Sequence, residues 1–366
     1  GKRLPTIHQW ERAARPAETI VFANTFPWGF VAEGSDVTER SNFLGKGTVP
    51  VDSMPFGASP SGALHMAGNA AEWCRNAHPP GYAVRGGSWM DAIYAFGQTG
   101  GYPGFYSSPT IGFRCVAGGG GDEGNIPLEP SGFVPEFKPA DDAAFAAFAR
   151  RYEYARTPLN ARIVERVETG DWIREKITYE VNGKTVPAYL YLPVRVPRPL
   201  QVIQFAPAGD VVGGQRSLTQ SIEIRMAPLI RGGRALFAVE LEGFLGRPRP
   251  AAWGRPAPET EEYVDLVVAQ VTEMRRGLDY LESRNDIDAK RMGLIGISAG
   301  GGPGVFVAAL DSRIRSVVFG GTGLFRLEER YAPAASRIHF VPRITAPTLM
   351  LHGRYDEDTP LKSEAK

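Results

Sequence analysis

RMGLIGISAGGGPG, residues 291–304, organises the second half of this chain. An apolar run, Met292 to Ile297, ends in a serine and is followed at once by glycines, which reads as a strand turning sharply into a helix with Ser298 at the turn. Gly296, Ile297, Ser298, Ala299 and Gly300 form the pattern G-x-S-x-G. A serine held on a strained strand-to-helix turn projects its hydroxyl above the sheet, and small flanking residues keep other side chains clear of it. The backbone N–H of Ala299, at the start of the new helix, then points to where an oxyanion would form.

The surroundings support a parallel sheet. From Glu259 to Arg284, Tyr263, Leu266, Val267, Val271, Met274, Leu278 and Leu281 recur at three- and four-residue steps, the pattern of an amphipathic helix. DIDAKRM leads from it into the strand. Downstream, Val305 to Leu310 continue as helix, and Ile314 to Phe319 and Pro347 to His352 read as buried strands. This alternation is that of a sheet with helices on its faces.

The last of these strands runs into HGRYDEDTP, His352 to Pro360. Together, LDYLESRNDID, GISAGG and LHGRYD resemble the α/β hydrolases, and within them the dienelactone-hydrolase-like esterase branch, over residues 140–366. The resemblance implies an α/β fold with a mostly parallel sheet, a small ester or lactone as substrate, and no cofactor for this domain. It makes Ser298 the nucleophile and Asp356 the acid. The second oxyanion donor of that fold lies after an earlier strand, here Val202 to Phe205, which points to the N–H of Ala208 or Gly209; a plain Gly/Pro turn is the alternative. The third triad member of the family is a histidine that follows the acid. No histidine follows Asp356; His352 sits at a strand end, and His339 reads as structural. The base is expected past Lys366, so these residues alone are expected to be inactive, since losing a triad histidine costs roughly a millionfold in turnover.

At 366 residues, 43% hydrophobic and 22% charged, the chain has room for two domains. Lys+Arg 41 against Asp+Glu 40 leaves a net charge of +1, with no basic run to attract nucleic acid or an acidic membrane. No apolar stretch is long enough to span a bilayer. Two cysteines, Cys74 and Cys115, are too few for a disulfide scaffold or a thiolate zinc site; either both are reduced core residues or they pair with each other. Such usage fits a cytoplasmic location.

Residues 1–117 have little periodicity beyond a helix from Ile7 to Arg15, capped by Thr6. RLPT with the following WE and AAR (Arg3 to Arg15), PWG (Pro27 to Gly29), MAGN with EW (Met66 to Trp73), RGGSW (Arg85 to Trp89) and GFRC (Gly112 to Cys115) resemble the formylglycine-generating enzyme, or sulfatase-modifying factor, family. The resemblance implies an irregular α+β, C-type-lectin-like fold of which this is the second half, the first being expected upstream of Gly1. The family's two copper-binding thiolates fall here on Asp91 and Phe96, so no copper is expected. Its calcium site corresponds to Gly68, Ala70 and Glu72, with His65 where an oxygen-bearing side chain is usual. Two readings stand there: calcium, or Glu72 bonded to neighbouring backbone amides without metal. A second calcium position, at Asn42 and Phe43, lacks its aspartate partner. In relatives this pair of modules often follows a serine/threonine protein kinase, so such a fusion partner is expected.

Residues 118–140, with four glycines and then spaced prolines, read as a linker. Asp141 to Tyr154 reads as a capped helix with Phe145, Phe148 and Tyr152 on one face. Arg162 to Thr169, Trp172 to Glu180 and Thr185 to Leu192 alternate as strands, the last two joined by the hairpin signal Asn182-Gly183. Ala235 to Val239 is a further strand, and Glu240 to Pro258 a long loop that could wall a substrate site. The leading expectation is a serine esterase domain (141–366) behind a degenerate binding or scaffold module (1–117). The rivals are a non-catalytic binding or signalling protein and a metal-dependent oxidase acting through the first domain.

Overall fold

The computed structural model describes residues 1–15, 25–30, 35–91, 93–118, 137–209, 217–243, 247, 258–324 and 328–353. The acid expected at Asp356, most of the long loop 240–258 and most of the linker lie outside these residues. The chain divides into two compact units, Gly1–Gly132 and Phe133–Lys366.

The second unit is built on one sheet of eight strands: β1 (Arg162–Glu168), β2 (Trp172–Val181), β3 (Lys184–Pro193), β4 (Leu200–Ala206), β5 (Ala235–Val239), β6 (Ile287–Ile297), β7 (Ile314–Gly320) and β8 (Thr348–Leu351). Their spatial order is β8-β7-β6-β4-β5-β3-β2-β1. The first three enter antiparallel, and β4 to β8 run parallel. The β2–β3 hairpin turns at Asn182 and Gly183, with φ of 48° and 76°. Two successive positive φ angles are what the right-handed twist of the flanking strands demands of a two-residue loop. All five residues of β5 are buried, as befits a strand covered on both faces.

Helices α1 (Asp142–Arg150), α2 (Leu218–Arg225), α3 (Ala227–Arg231), α4 (Glu261–Glu282) and α5 (Gly301–Leu310) accompany the sheet. The Asp141 carboxylate caps α1 by accepting from the Ala144 N–H at 2.8 Å, and the Thr260 hydroxyl caps α4. On α4 the expected stripe is buried at Leu266, Val267, Val271, Met274, Leu278 and Leu281, while Tyr263 at its start is half-buried. Helix α1 ends four residues earlier than its periodicity predicts. Tyr152 lies beyond its end yet is fully buried, its ring against Phe306 and Phe340 and its hydroxyl donating to the Ala334 carbonyl at 2.6 Å. Strand β6 begins five residues before the apolar run, at Ile287, because Leu200 of β4 pairs with it across a register irregularity.

Buried carboxylates held by arginines brace this unit, Glu175 and Glu328 among them. Glu175 is held by Arg284 at 2.7 Å and by Arg166 at 2.8 Å, and Glu328 receives the Arg337 guanidinium through both oxygens. Neither pair shows in hydrophobic periodicity.

The first unit is irregular, as its composition predicts. Its helix Ile7–Ala14 carries a complete capping box between Thr6 and Gln9. Four short strands make one sheet in the order Gly100–Tyr102, Gly81–Arg85, Ala71–His78, Ile111–Phe113. Trp10, Phe26, Phe43, Met66, Cys74 and Phe96 form its core. Both cysteines are free, which excludes the mutual disulfide. Cys74 is buried and burial pushes its thiol up to about 12, whereas Cys115 is exposed and not a core residue. No helix among the described residues is long and apolar enough to cross a membrane.

Candidate active site

The order of the parallel strands creates a topological switch point. From β4 the chain moves to β5 on one side, and from β6 it moves to β7 on the other, so the order reverses between the carboxyl ends of these adjacent strands. Ligands of open α/β sheets bind at such a switch point. Ser298 stands there, between the end of β6 and α5, on a helical turn Ser298–Gly300.

Its backbone is the unusual feature. Ser298 has φ +50°, in the left-handed region, and its side chain is exposed. For an L residue that conformation costs about 1–2 kcal/mol, so it persists only where the neighbours over-determine it. They do so through missing side chains. A Cβ at Gly300 would lie 2.2 Å from the Ala206 carbonyl oxygen and 2.4 Å from that of Pro207; one at Gly296 would lie 2.9 Å from the Gly301 Cα and 3.1 Å from the Phe319 ring. The turn can close onto β4 only because positions 296 and 300 are bare.

The same closure brings the loop after β4 to the serine. A Cβ at Gly209 would lie 3.9 Å from that of Ala299, so the two expected oxyanion-donor segments are neighbours. Ala299 is the second residue of its helical turn, and its N–H precedes the first that can bond back within the helix. Ala208 and Gly209 are half-buried directly after Pro207.

Of the five histidines, two lie in this unit. His339 is half-buried, accepts a hydrogen bond from the Ala140 N–H at its Nδ1 (3.1 Å) and faces the Phe148 ring; burial holds its pKa below the usual value. It is structural. Ile297, Gly320 and Leu351 lie in one row across β6, β7 and β8. His352 therefore follows at the same sheet edge as Ser298, two strand spacings away, or about 10 Å.

In the first unit the calcium expectation meets a different arrangement. Glu72 is buried, and both its oxygens are engaged: Oε2 accepts from the Trp10 indole (2.8 Å) and from Arg114 Nε (3.0 Å), and Oε1 from Arg114 Nη2 (2.8 Å). Gly68, at φ +74°, is packed against Asn42, where a Cβ would lie 2.7 Å from a carbonyl oxygen. His65 Nε2 pairs with Ser53 and the Pro50 carbonyl. A cation would have to displace a guanidinium from the only carboxylate it meets among the described residues, so Gly68, Ala70 and Glu72 do not fit calcium. The partners of Glu72 are side chains, not the backbone amides expected. At the copper-ligand positions, Asp91 closes a turn by accepting from the Ser88 N–H and hydroxyl, and Phe96 is core. Those residues do not fit a thiophilic metal either.

Comparison with known proteins divides along the same line. Residues 1–118 match the sulfatase-modifying factor enzyme 1-like domain, and this part of the chain is such a domain. Serine/threonine-protein kinases pkn1 of Chlamydia caviae and Chlamydia pneumoniae are 33% and 35% identical to the chain over 141 and 139 residues, in each case 32% of this chain and 21% of the kinase. "Putative hydrolase YtaP" of Bacillus subtilis (strain 168) is 26% identical over 178 residues, 44% of this chain and 57% of YtaP. The chain thus spans just over half of one relative and about a fifth of the others. Among solved structures, an acetyl xylan esterase from Paenibacillus sp. R4 aligns at 20% identity and TM-score 0.42, covering 62% of this chain and 83% of that one. A glucuronoyl esterase from Solibacter usitatus aligns at 21% and 0.39, covering 54% and 67%. At these scores the likeness carries no argument about function.

Proposed function

We propose that the second unit is a serine hydrolase acting on a small ester or lactone, and that the first unit serves it as a binding or scaffold module. In this reading the Ser298 hydroxyl attacks the carbonyl carbon while a base takes its proton. The oxyanion is held by the N–H of Ala299 and that of Ala208 or Gly209; as it collapses the ester C–O bond breaks and the leaving oxygen takes the proton from the base, after which water, deprotonated by the same base, displaces the acyl group and the serine hydroxyl is restored. Asp356 orients the base, a histidine that none of the described residues supplies. The name of the Bacillus relative is in keeping with this reaction class. A kinase joined upstream is part of the same proposal, by analogy with the chlamydial relatives.

One observation carries the reading: an exposed serine held at φ +50° at the switch point of the sheet, with bare glycines at positions 296 and 300. The test is labelling of the full-length natural protein with a fluorophosphonate probe, followed by peptide mapping. Modification of Ser298, lost in Ser298→Ala, is the expected result. Labelling elsewhere, or none, refutes the assignment.

A further inference from the structure

The contacts around Ser298 extend one residue past the G-x-S-x-G pattern. Thr322, in the loop that follows β7, is only 4% exposed. A Cβ placed on Gly301 would lie 2.2 Å from its Oγ1, 2.4 Å from its Cγ2 and 2.5 Å from its Cβ. Its whole branched end therefore rests on the Gly301 backbone. Gly301 in turn is the residue that a side chain at Gly296 would strike. The turn carrying Ser298 is thus wedged on one side by the Ala206–Pro207 backbone and on the other by Thr322. The Thr322 loop is itself anchored: Gly321, at φ +54°, donates its N–H to the Leu351 carbonyl at 2.8 Å, at the end of the strand that leads toward Asp356.

We infer that Thr322 is a positioning residue for the nucleophile, holding the strained Ser298 turn through the bulk of its side chain on Gly301 and tying that turn to β8. This rests on the reading of Ser298 as the nucleophile. Both branches of the side chain touch the Gly301 space, so shape rather than the hydroxyl decides. A turn released by about 1 Å loses roughly a hundredfold in rate while leaving the substrate's binding surface in place.

The experiment measures fluorophosphonate labelling of the full-length natural protein as separate inactivation-rate and affinity constants, with thermal unfolding in parallel. Thr322→Val, which keeps both branches on Gly301 and loses only the hydroxyl, is expected to keep the rate constant within about threefold of the parent and to show the lost hydroxyl as lower thermal stability. Thr322→Gly is expected to lose about 10- to 100-fold in the rate constant with affinity nearly unchanged, and Thr322→Ser a smaller part of that. Gly301→Ala alone is expected to be as slow, and Thr322→Gly combined with Gly301→Ala to recover at least about tenfold over either single change, because the new methyl fills the vacated space. An unaltered rate constant in Thr322→Gly and Thr322→Ser, an equal loss in Thr322→Val, or no recovery in the double variant overturns the inference while Ser298 remains labelled. Absence of labelling in the parent overturns the Ser298 reading and this inference with it.

Discussion

Gly300→Ala isolates the packing on which the Ser298 turn depends. The added Cβ would lie 2.2 Å from the Ala206 oxygen, 2.4 Å from its carbonyl carbon and 2.4 Å from the Pro207 oxygen. Comfortable carbon contacts need about 3.5–4.0 Å, so the turn and the end of β4 must part by more than about 1 Å. The obstacle is backbone, which no rotamer change can clear. Overpacking of this kind costs about 1–3 kcal/mol, and for a unit of this size each kcal/mol lowers Tm by about 2–4 °C. The displacement also separates Ala299 from the Ala208–Gly209 segment, and about 1 Å between nucleophile and oxyanion donors is worth roughly a hundredfold in rate. Fluorophosphonate labelling and thermal unfolding, run on the same preparation, read both effects. Gly302→Ala is the control, since a Cβ there meets nothing within 4 Å and Ala suits a helix better than Gly. Labelling of Gly300→Ala at the parental rate, or equal damage in Gly302→Ala, would refute the reasoning.

Three further outcomes follow from the described geometry. Cys115 is exposed and Cys74 buried with its thiol pushed up to about 12, so a thiol reagent at pH 8 should titrate one cysteine in the native protein and both in denaturant; two fast-reacting thiols would contradict this. Burial depresses the pKa of His339, against a weaker opposing pull from Glu328, so the folded state prefers the neutral ring; the associated stability is present above the unfolded value of about 6.5 and lost as pH falls through the lower folded value. His339→Gln, which can still accept from the Ala140 N–H, should show a smaller loss of stability in urea between pH 7.5 and pH 5 than the parent, and an identical loss would rule His339 out as a contributor. Arg337→Met removes the guanidinium that engages both oxygens of the fully buried Glu328 carboxylate and should cost up to about 3–5 kcal/mol, whereas Met at 337 combined with Glu328→Gln should recover part of it; additive losses would count against a coupled pair.

Much of the architecture is legible before folding, and for local reasons. The caps at Thr6 and Asp141 act over three residues, and the hairpin at Asn182-Gly183 over two. The face of α4 that becomes buried is set by a 3.6-residue period within one segment. The Ser298 turn is readable for the same reason: a strand ending in a serine among glycines specifies its own backbone, and the structure realises it at φ +50°.

Partners across the fold follow a different rule. Glu72 and Arg114 are 42 residues apart, and Glu175 and Arg284 are 109 apart. Nothing in the neighbourhood of either residue marks the other, so a calcium ligand and an arginine-bound carboxylate look alike until the chain closes. Thr322 is ordinary in its own segment and becomes significant only because β7 lies beside β6 and sets it on Gly301. The sequence by itself determined the amphipathic face of α4, the β2–β3 hairpin and the serine's strained turn, since these are written in short-range periodicity and backbone preference. Only the tertiary structure decided what meets that turn, which cysteine is exposed and where each buried charge finds its counterion, because those contacts depend on the order of strands in the sheet and on long-range closure.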